Sequence, residues 1–292
     1  MVNSDLEPGG RHISIGDIRL YIVERGEGHP LLLFHGGPGL DHLEFGDYLN
    51  GLADEFRLIL VDERGQGRSD RAAEDTWTLK QMAADVSSLA QSLELDRYAV
   101  LGHSYGAFIA LQHAVDFPGA AAQTILSSGI PSARYLEHVS RNLETFEPEE
   151  LREQVTRSWE RESSARTQED VASLLHDQLP FQFANPFDPR IAEYELRTAG
   201  AVYSPDVLQA FAAEEYGGIE VEDRLSSVTQ PVLVLAGWHD RVCSVEAAEA
   251  IAQGVQHGEL VVFESSGHMT FVEENELYVR TVREFLLRHA RL

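Results

Sequence analysis

At 292 residues, with 43% hydrophobic side chains, the chain is long enough for one large domain carrying an insertion and apolar enough for a packed core. Its 48 acidic residues against 23 basic ones leave a net charge of −25. That surface repels nucleic-acid phosphates and anionic lipid headgroups and argues against both as partners. Cys243 is the one cysteine, which excludes an internal disulfide and a cysteine-built metal site.

Taken in chain order, residues 1–6 carry neither the basic region nor the apolar core of a secretion signal, and no later run approaches the length of a membrane span. A cytoplasmic location without a membrane partner is the expectation. Residues 11–15 and 18–23 flank Gly16-Asp17 as a short hairpin. Pro30-Leu31-Leu32-Leu33-Phe34 reads as a buried strand that empties into His35-Gly36-Gly37-Pro38-Gly39, and residues 58–61 as another, emptying into a loop from Asp62 to Ser69. Thr78 is placed to cap a helix on which Leu79, Met82, Val86, Leu89 and Leu93 form one apolar stripe. Tyr98-Ala99-Val100-Leu101 then runs into Gly102-His103-Ser104-Tyr105-Gly106 and a helical stretch.

Strand and helix stop alternating between residues 131 and 230, a region with helical periodicity, prolines at 148, 180, 186, 189 and 205 among others, and 20 acidic against 9 basic residues. Alternation resumes with residues 232–237, which empty into Trp238-His239-Asp240-Arg241. A further strand over 260–263 leads to Ser265-Ser266-Gly267-His268, with a helix from about Glu273. These patterns predict an α/β fold: a mostly parallel sheet with helices on both faces and a helical cap inserted between two core strands. The core is expected over residues 1–130 and 231–292, the cap over 131–230.

Gly-x-Ser-x-Gly between a strand and a helix makes a turn so tight that small residues must flank the serine, lifting its hydroxyl above the sheet. Ser104 is therefore the expected nucleophile. A serine hydroxyl needs a base in reach and a carboxylate to hold that base in one tautomer. His268 and Asp240, each just past a strand end, supply them. An oxyanion hole needs backbone donors already in position. Pro38 has no N–H, which leaves Gly36 or Gly37 on the first loop, and we assign the donors as the N–H groups of Gly37 and Tyr105.

With these residues in place, the chain resembles the α/β-hydrolase superfamily, and within it the proline-iminopeptidase-like branch of serine hydrolases. The resemblance rests on His35-Gly36-Gly37-Pro38-Gly39, on Asp62-Glu63-Arg64-Gly65-Gln66-Gly67-Arg68-Ser69, on the serine elbow, on Gly237-Trp238-His239-Asp240 and on Gly267-His268. It implies the α/β-hydrolase fold and cleavage of an acyl bond in a small-molecule or short-peptide substrate, without a cofactor.

In that superfamily caps roof the pocket, and in proline-iminopeptidase relatives cap carboxylates bind the free amino terminus of the substrate. Trp159, Asp177, Phe181 and Glu220 are the substrate-binding candidates here, with Phe183, Phe187, Tyr194 and Phe211 as further roof aromatics and Glu214, Glu215 and Glu222 adding to the acidic segment that leads back to the core. His35 is expected to brace the oxyanion loop, Arg64 to pair internally, and His103 and His239 to be structural. No metal site is expected, since His35, Glu63 and His268 match no ligand spacing. A carboxylesterase or lactonase would use the same triad under a different cap. A ligand receptor on the same fold is the non-enzymatic alternative, whereas dehalogenase and epoxide-hydrolase chemistry calls for aspartate at the elbow.

Overall fold

The computed structural model describes residues 9–213 and 215–289; residues 1–6, read above for a secretion signal, and Glu214 lie outside them. The apolar runs build one sheet from β1 (Gly10–Ser14), β2 (Arg19–Arg25), β3 (His29–Phe34), β4 (Phe56–Val61), β5 (Ala99–His103), β6 (Gln123–Ser127), β7 (Val232–Gly237) and β8 (Gly258–Phe263). Their spatial order is β1-β2-β4-β3-β5-β6-β7-β8. β2 pairs antiparallel with β1 and β4, and every other pair is parallel. The hairpin sits where Gly16-Asp17 predicts it, with Ser14 opposite Arg19.

β6 escapes the hydrophobic pattern because polar residues end it. All five of its residues are buried all the same. Gln123 donates to Leu286 O at 3.3 Å and Thr124 accepts from Gln230 at 3.2 Å, which offsets the cost of burying them.

The strands alternate between two cores, as a period of two requires. Ile59, Val61, Val100 and Val234 face one side, packed by α1 (Leu79–Ser92), α2 (Tyr105–Asp116) and, farther along the chain, a helix over Val245–Gly254. Leu58, Leu60, Leu101 and Leu235 face the other, covered by a helix over Asn275–His289 through Tyr278, Val282 and Phe285. Thr78 caps α1 by accepting the N–H of Gln81, and the helix buries Leu79, Met82, Val86 and Leu89; Leu93 closes it, half-buried.

Between β6 and β7 the described residues hold α3 (Glu137–Glu144), α4 (Glu149–Glu162), α5 (Gln168–Gln182), α6 (Arg190–Arg197) and α7 (Pro205–Ala212). α5 starts with a capping box in which Thr167 and Asp170 exchange hydrogen bonds. After β7 come α8 (Val245–Gly254), the short α9 (Thr270–Glu273) and α10 (Asn275–His289). Among the described residues no helix is long and apolar enough to cross a membrane.

Candidate active site

The loops that carry the expected catalytic residues all leave the same edge of the sheet, from strands that run parallel: residues 35–39 after β3, Ser104 after β5, Asp240 after β7 and His268 after β8. The chain turns from β5 into α2 at Ser104, whose φ of 52° and ψ of −116° lie where side-chain-bearing residues seldom go. Holding that backbone costs about 1–3 kcal/mol, and its N–H is anchored on Ser127 O at 2.8 Å. Close approach dictates the flanking glycines. A Cβ on Gly106 would lie 2.1 Å from Phe34 O, and one on Gly102 would lie 2.0 Å from Gly106 O.

Asp240 Oδ1 accepts the N–H groups of Val242 at 2.8 Å and Cys243 at 2.9 Å, which leaves Oδ2 to face His268 Nδ1 at 2.9 Å. Asp240 and His268 are buried and Ser104 is half-buried; Ser104 and His268 open on the same cavity. Burial is the largest influence on His268 and opposes its charge. The charge and hydrogen bond of Asp240, helped by Glu44 and Glu273, outweigh it and hold the imidazole above the ordinary histidine value. His103 lies under that ring, with centroids 5.0 Å apart, and edge-on to Phe271 at 4.9 Å. Burial, then the charge of His268, drives His103 well below the usual range, so it packs as a neutral ring. His239 is exposed.

On the loop after β3 the donors sort themselves. Gly36 N–H goes to the buried carboxylate of Glu44, and Gly39 N–H goes to Gln66 Oε1 at 2.5 Å. Pro38 has none. Gly37, at a φ of 118°, is the loop residue whose N–H is left, and it lines the cavity with Tyr105. Tyr105 opens α2, so its N–H has no carbonyl one turn back to serve. His35 braces the loop: its Nδ1 meets Gly36 O at 2.7 Å, and its Nε2 lies 2.7 Å from Glu63 Oε2. Burial lowers its pKa, but the charge and hydrogen bond of Glu63 win and raise it to about 10. Arg64 is spent internally, on Asp85 at 2.7 and 2.9 Å and on Asp17 at 3.0 Å.

The cavity encloses about 590 Å³ between these loops and the helices of the insertion. Trp159, Leu174, Leu179, Tyr203 and Leu208 give it apolar walls. Asp41, Glu44, Glu162 and Glu195 also line it, and among the described lining residues there is no arginine or lysine. Glu162 is buried, its Oε1 accepting from Gln178 at 2.7 Å and its Oε2 from the Tyr216 hydroxyl at 2.6 Å. Burial raises its pKa against both hydrogen bonds. Glu44, buried at the oxyanion loop, is pushed up to about 7 by the same cause.

Of the four substrate-binding candidates only Trp159 lines the cavity. Asp177 is corrected: α5 presents Val171, Leu174, Leu175, Gln178 and Leu179 to the cavity at helical spacing, and Asp177 falls off that stripe, 4.0 Å from Arg161. Phe181 packs instead, edge-on to Phe146 and Trp159 at 5.1 Å each. Glu220 is exposed and accepts from Ser132 at 2.8 Å. Among the other aromatics Tyr194 lines the cavity, Phe183 and Phe211 are buried elsewhere, and Phe187 is 68% exposed. Glu222 pairs with Arg134 at 2.7 Å, while Glu214 and the side chain of Glu215 lie outside the described residues. Sequence reasoning missed Glu44 and Glu162. Glu162 does carry a signal, since it continues the buried stripe Val155, Ser158 on α4; Glu44 carries none.

Among the described residues, two groups of side chains offer ligand atoms within 4.8 Å of one another: Asp41, His42 and Asp62, and Asp240, Cys243 and His268. In the first, His42 and Arg68 already occupy the carboxylates, and in the second Asp240 is taken up as above. Neither set leaves oxygen ligands open for a cation.

A family model described as alpha/beta hydrolase fold matches residues 29–275. The chain belongs to the α/β-hydrolase fold family. It is 27% identical over 285 residues to a proline iminopeptidase of Clostridium botulinum, covering 89% of this chain and 90% of that one. The crystal structure of the Mycobacterium smegmatis proline iminopeptidase superposes with a TM-score of 0.74 at 24% identity, over 96% of this chain and 98% of that one. An esterase from Exiguobacterium antarcticum gives a TM-score of 0.74 at 25% identity, over 95% and 99%. This chain is thus a hydrolase of the α/β-hydrolase fold family, similar along nearly its whole length to proline iminopeptidases and to an esterase.

Proposed function

We propose that this α/β-hydrolase cleaves an acyl bond of a small substrate through Ser104, His268 and Asp240, with the segment 131–230 acting as its cap. The observation that carries the reading is the shared cavity: the strained Ser104 and His268 open on it together, and Asp240 holds the far side of the imidazole at 2.9 Å. Ser104 Oγ attacks the acyl carbon while His268 Nε2 takes its proton. The oxyanion receives the N–H groups of Gly37 and Tyr105. Collapse expels the leaving group with the proton from His268. Water, deprotonated by the same nitrogen, then releases the acid and restores the serine.

The substrates we propose are aminoacyl amides with a free α-amine, as the name of the proline iminopeptidase relatives suggests. Glu162 supports this: it is a buried carboxylate on the cavity wall whose partners are a neutral amide and a phenol, so an ammonium group would supply the missing opposite charge. A second reading, esterase or lactonase, is favoured by the aliphatic wall of α5 and by the likeness to an esterase.

One panel decides between them: L-prolyl anilide, p-nitrophenyl acetate and an acyl lactone, run on wild type, Ser104→Ala and Glu162→Gln. Ser104→Ala should lose about 10⁴-fold or more in kcat on every substrate with its fold intact. Glu162→Gln should lose about 10²-fold in kcat/KM on the anilide, the scale for removing one partner of a desolvated charge pair, and keep its ester turnover. Turnover of the ester but not the anilide by wild type would establish the esterase reading.

A further inference from the structure

Arg241 follows the expected triad acid directly, and nothing in that role accounts for it. Its guanidinium does not pair with a carboxylate among the described residues. It donates instead to three backbone carbonyls at the carboxyl-terminal end of α5: Phe181 O at 3.1 Å and Phe183 O at 2.7 Å through Nη1, and Ala184 O at 3.0 Å through Nη2. The planar group lies over the rings of Phe146 and Phe181, 5.0 and 5.9 Å from their centroids. Its own carbonyl is held by Asn142 of α3 at 3.0 Å. The residue next to Asp240 is therefore gripped by the insertion at both main chain and side chain.

The same short segment also grips the loop of the histidine. Gln182 O accepts the N–H of His268 at 2.6 Å. Glu273 joins the two chains, one carboxylate oxygen taking Ala184 N–H at 2.8 Å and the other Gly267 N–H at 2.8 Å. A Cβ on Gly267 would lie 2.4 Å from Gln182 O and 2.7 Å from Ala184 N, so the histidine loop meets this segment backbone to backbone. Residues 181–184 thus form one rigid piece to which the Asp240 loop and the His268 loop are both fastened.

We propose that Arg241 is a positioning residue for hydrolysis, fastening the Asp240 loop to the end of α5 so that the seating of the insertion sets the contact between Asp240 and His268. The proposal rests on the Ser104–His268–Asp240 reading. Hydrogen bonds from one planar group to three carbonyls fix orientation as well as distance, which a lysine ammonium cannot reproduce. Loosening them lets Asp240 move against the imidazole while the cavity walls that bind substrate stay where they are.

The test is Arg241→Met and Arg241→Lys, assayed on p-nitrophenyl acetate, with kcat expressed per site labelled by a serine-reactive fluorophosphonate so that unfolded enzyme is not counted. Arg241→Met should lose about 10- to 100-fold in kcat per labelled site, the scale of a sub-ångström to ångström misplacement, with KM within about twofold. The acid limb of kcat/KM should move to lower pH, because His268 loses part of the charge that raises it. Arg241→Lys should fall between Arg241→Met and wild type in both readouts, and it serves alone if Arg241→Met does not fold. A role confined to stability predicts a lower Tm with per-site kcat and pH profile unchanged, and that result in the folded variants overturns the proposal. Failure of the underlying reading looks different: wild type itself would not be labelled, and Ser104→Ala would keep its turnover.

Discussion

Replacing Asp240 by asparagine tests the site most sharply, because the structure dictates which way the amide must sit. Oδ1 receives two backbone donors, Val242 N–H at 2.8 Å and Cys243 N–H at 2.9 Å, so the amide oxygen has to occupy that place. Turning it over would set an NH₂ group against two N–H groups, an arrangement costing about 1–3 kcal/mol for each buried donor left without an acceptor. The amide nitrogen is then forced onto the Oδ2 position, facing His268 Nδ1 at 2.9 Å. Two donors cannot meet, so the imidazole must carry its proton on Nε2, where it can no longer accept one from Ser104. The expected loss in kcat is about 10⁴-fold, or about 5.5 kcal/mol of barrier. Stability should change little, because both backbone donors keep their acceptor; Asp240→Ala strands both and should cost about 2–5 kcal/mol. Stopped assays with p-nitrophenyl acetate and urea melts of the two variants give these numbers. A kcat for Asp240→Asn within tenfold of wild type would refute the argument, as would equal destabilisation by alanine and asparagine.

Activity and stability should respond to pH in opposite senses at His268. The proposed mechanism needs its base form, so kcat/KM should fall as pH drops through a value above the usual histidine figure of about 6.5, a limb read from initial rates across pH. The same raised value means that protonating the imidazole favours the folded state. The His268 share of stability is complete below the unfolded value of about 6.5 and is lost as pH rises through the folded one, a slope to be seen in urea midpoints of wild type against His268→Gln. Gly106→Ala should cost about 2–3 kcal/mol, because the new Cβ meets Phe34 O at 2.1 Å and a backbone oxygen cannot swing aside. Denaturant melts giving a loss below about 0.5 kcal/mol would mean that α2 is not pinned against β3 as described.

The strand ends were legible because burial inside a parallel sheet demands continuous apolar runs, and the loops after them were marked by serine, aspartate, histidine and glycine at fixed places. That Arg64 pairs internally was legible, but its partners were not, since Asp17 and Asp85 lie outside its loop, in the first hairpin and on α1. β6 was not, because Gln123 and Thr124 hide their polarity in hydrogen bonds to residues more than a hundred positions away. The cavity wall was the least legible part. Periodicity says that α5 has a buried stripe but not whether the stripe faces protein or empty space, so it does not tell that Gln178 lines the cavity and Asp177 does not. Glu44 was hidden for a different reason: its role is to take the N–H of Gly36, and competition for a backbone donor leaves no mark in residue order.

The acidic residues differ in physical meaning, and some, such as Asp85 on Arg64, are buried beside a cation. Exposed carboxylates such as Glu220 are solvated and cost the fold little. Glu44, Glu162 and Glu273 are buried, and what holds them is neutral: a backbone N–H for Glu44, an amide and a phenol for Glu162, and two backbone N–H groups for Glu273. Neutral donors repay only part of the desolvation of a carboxylate, which is why Glu44 and Glu273 are each raised to about 7. Two of the three, Glu44 and Glu162, line the cavity, and the third sits where the insertion meets the loop of His268. A fold that needed only stability could bury apolar groups of the same size at these places at no such cost. A carboxylate such as Glu162, held only by an amide and a phenol on a cavity whose described lining residues include no arginine or lysine, makes sense when the balancing cation arrives with the substrate, and that is the physical content of the aminoacyl reading we propose.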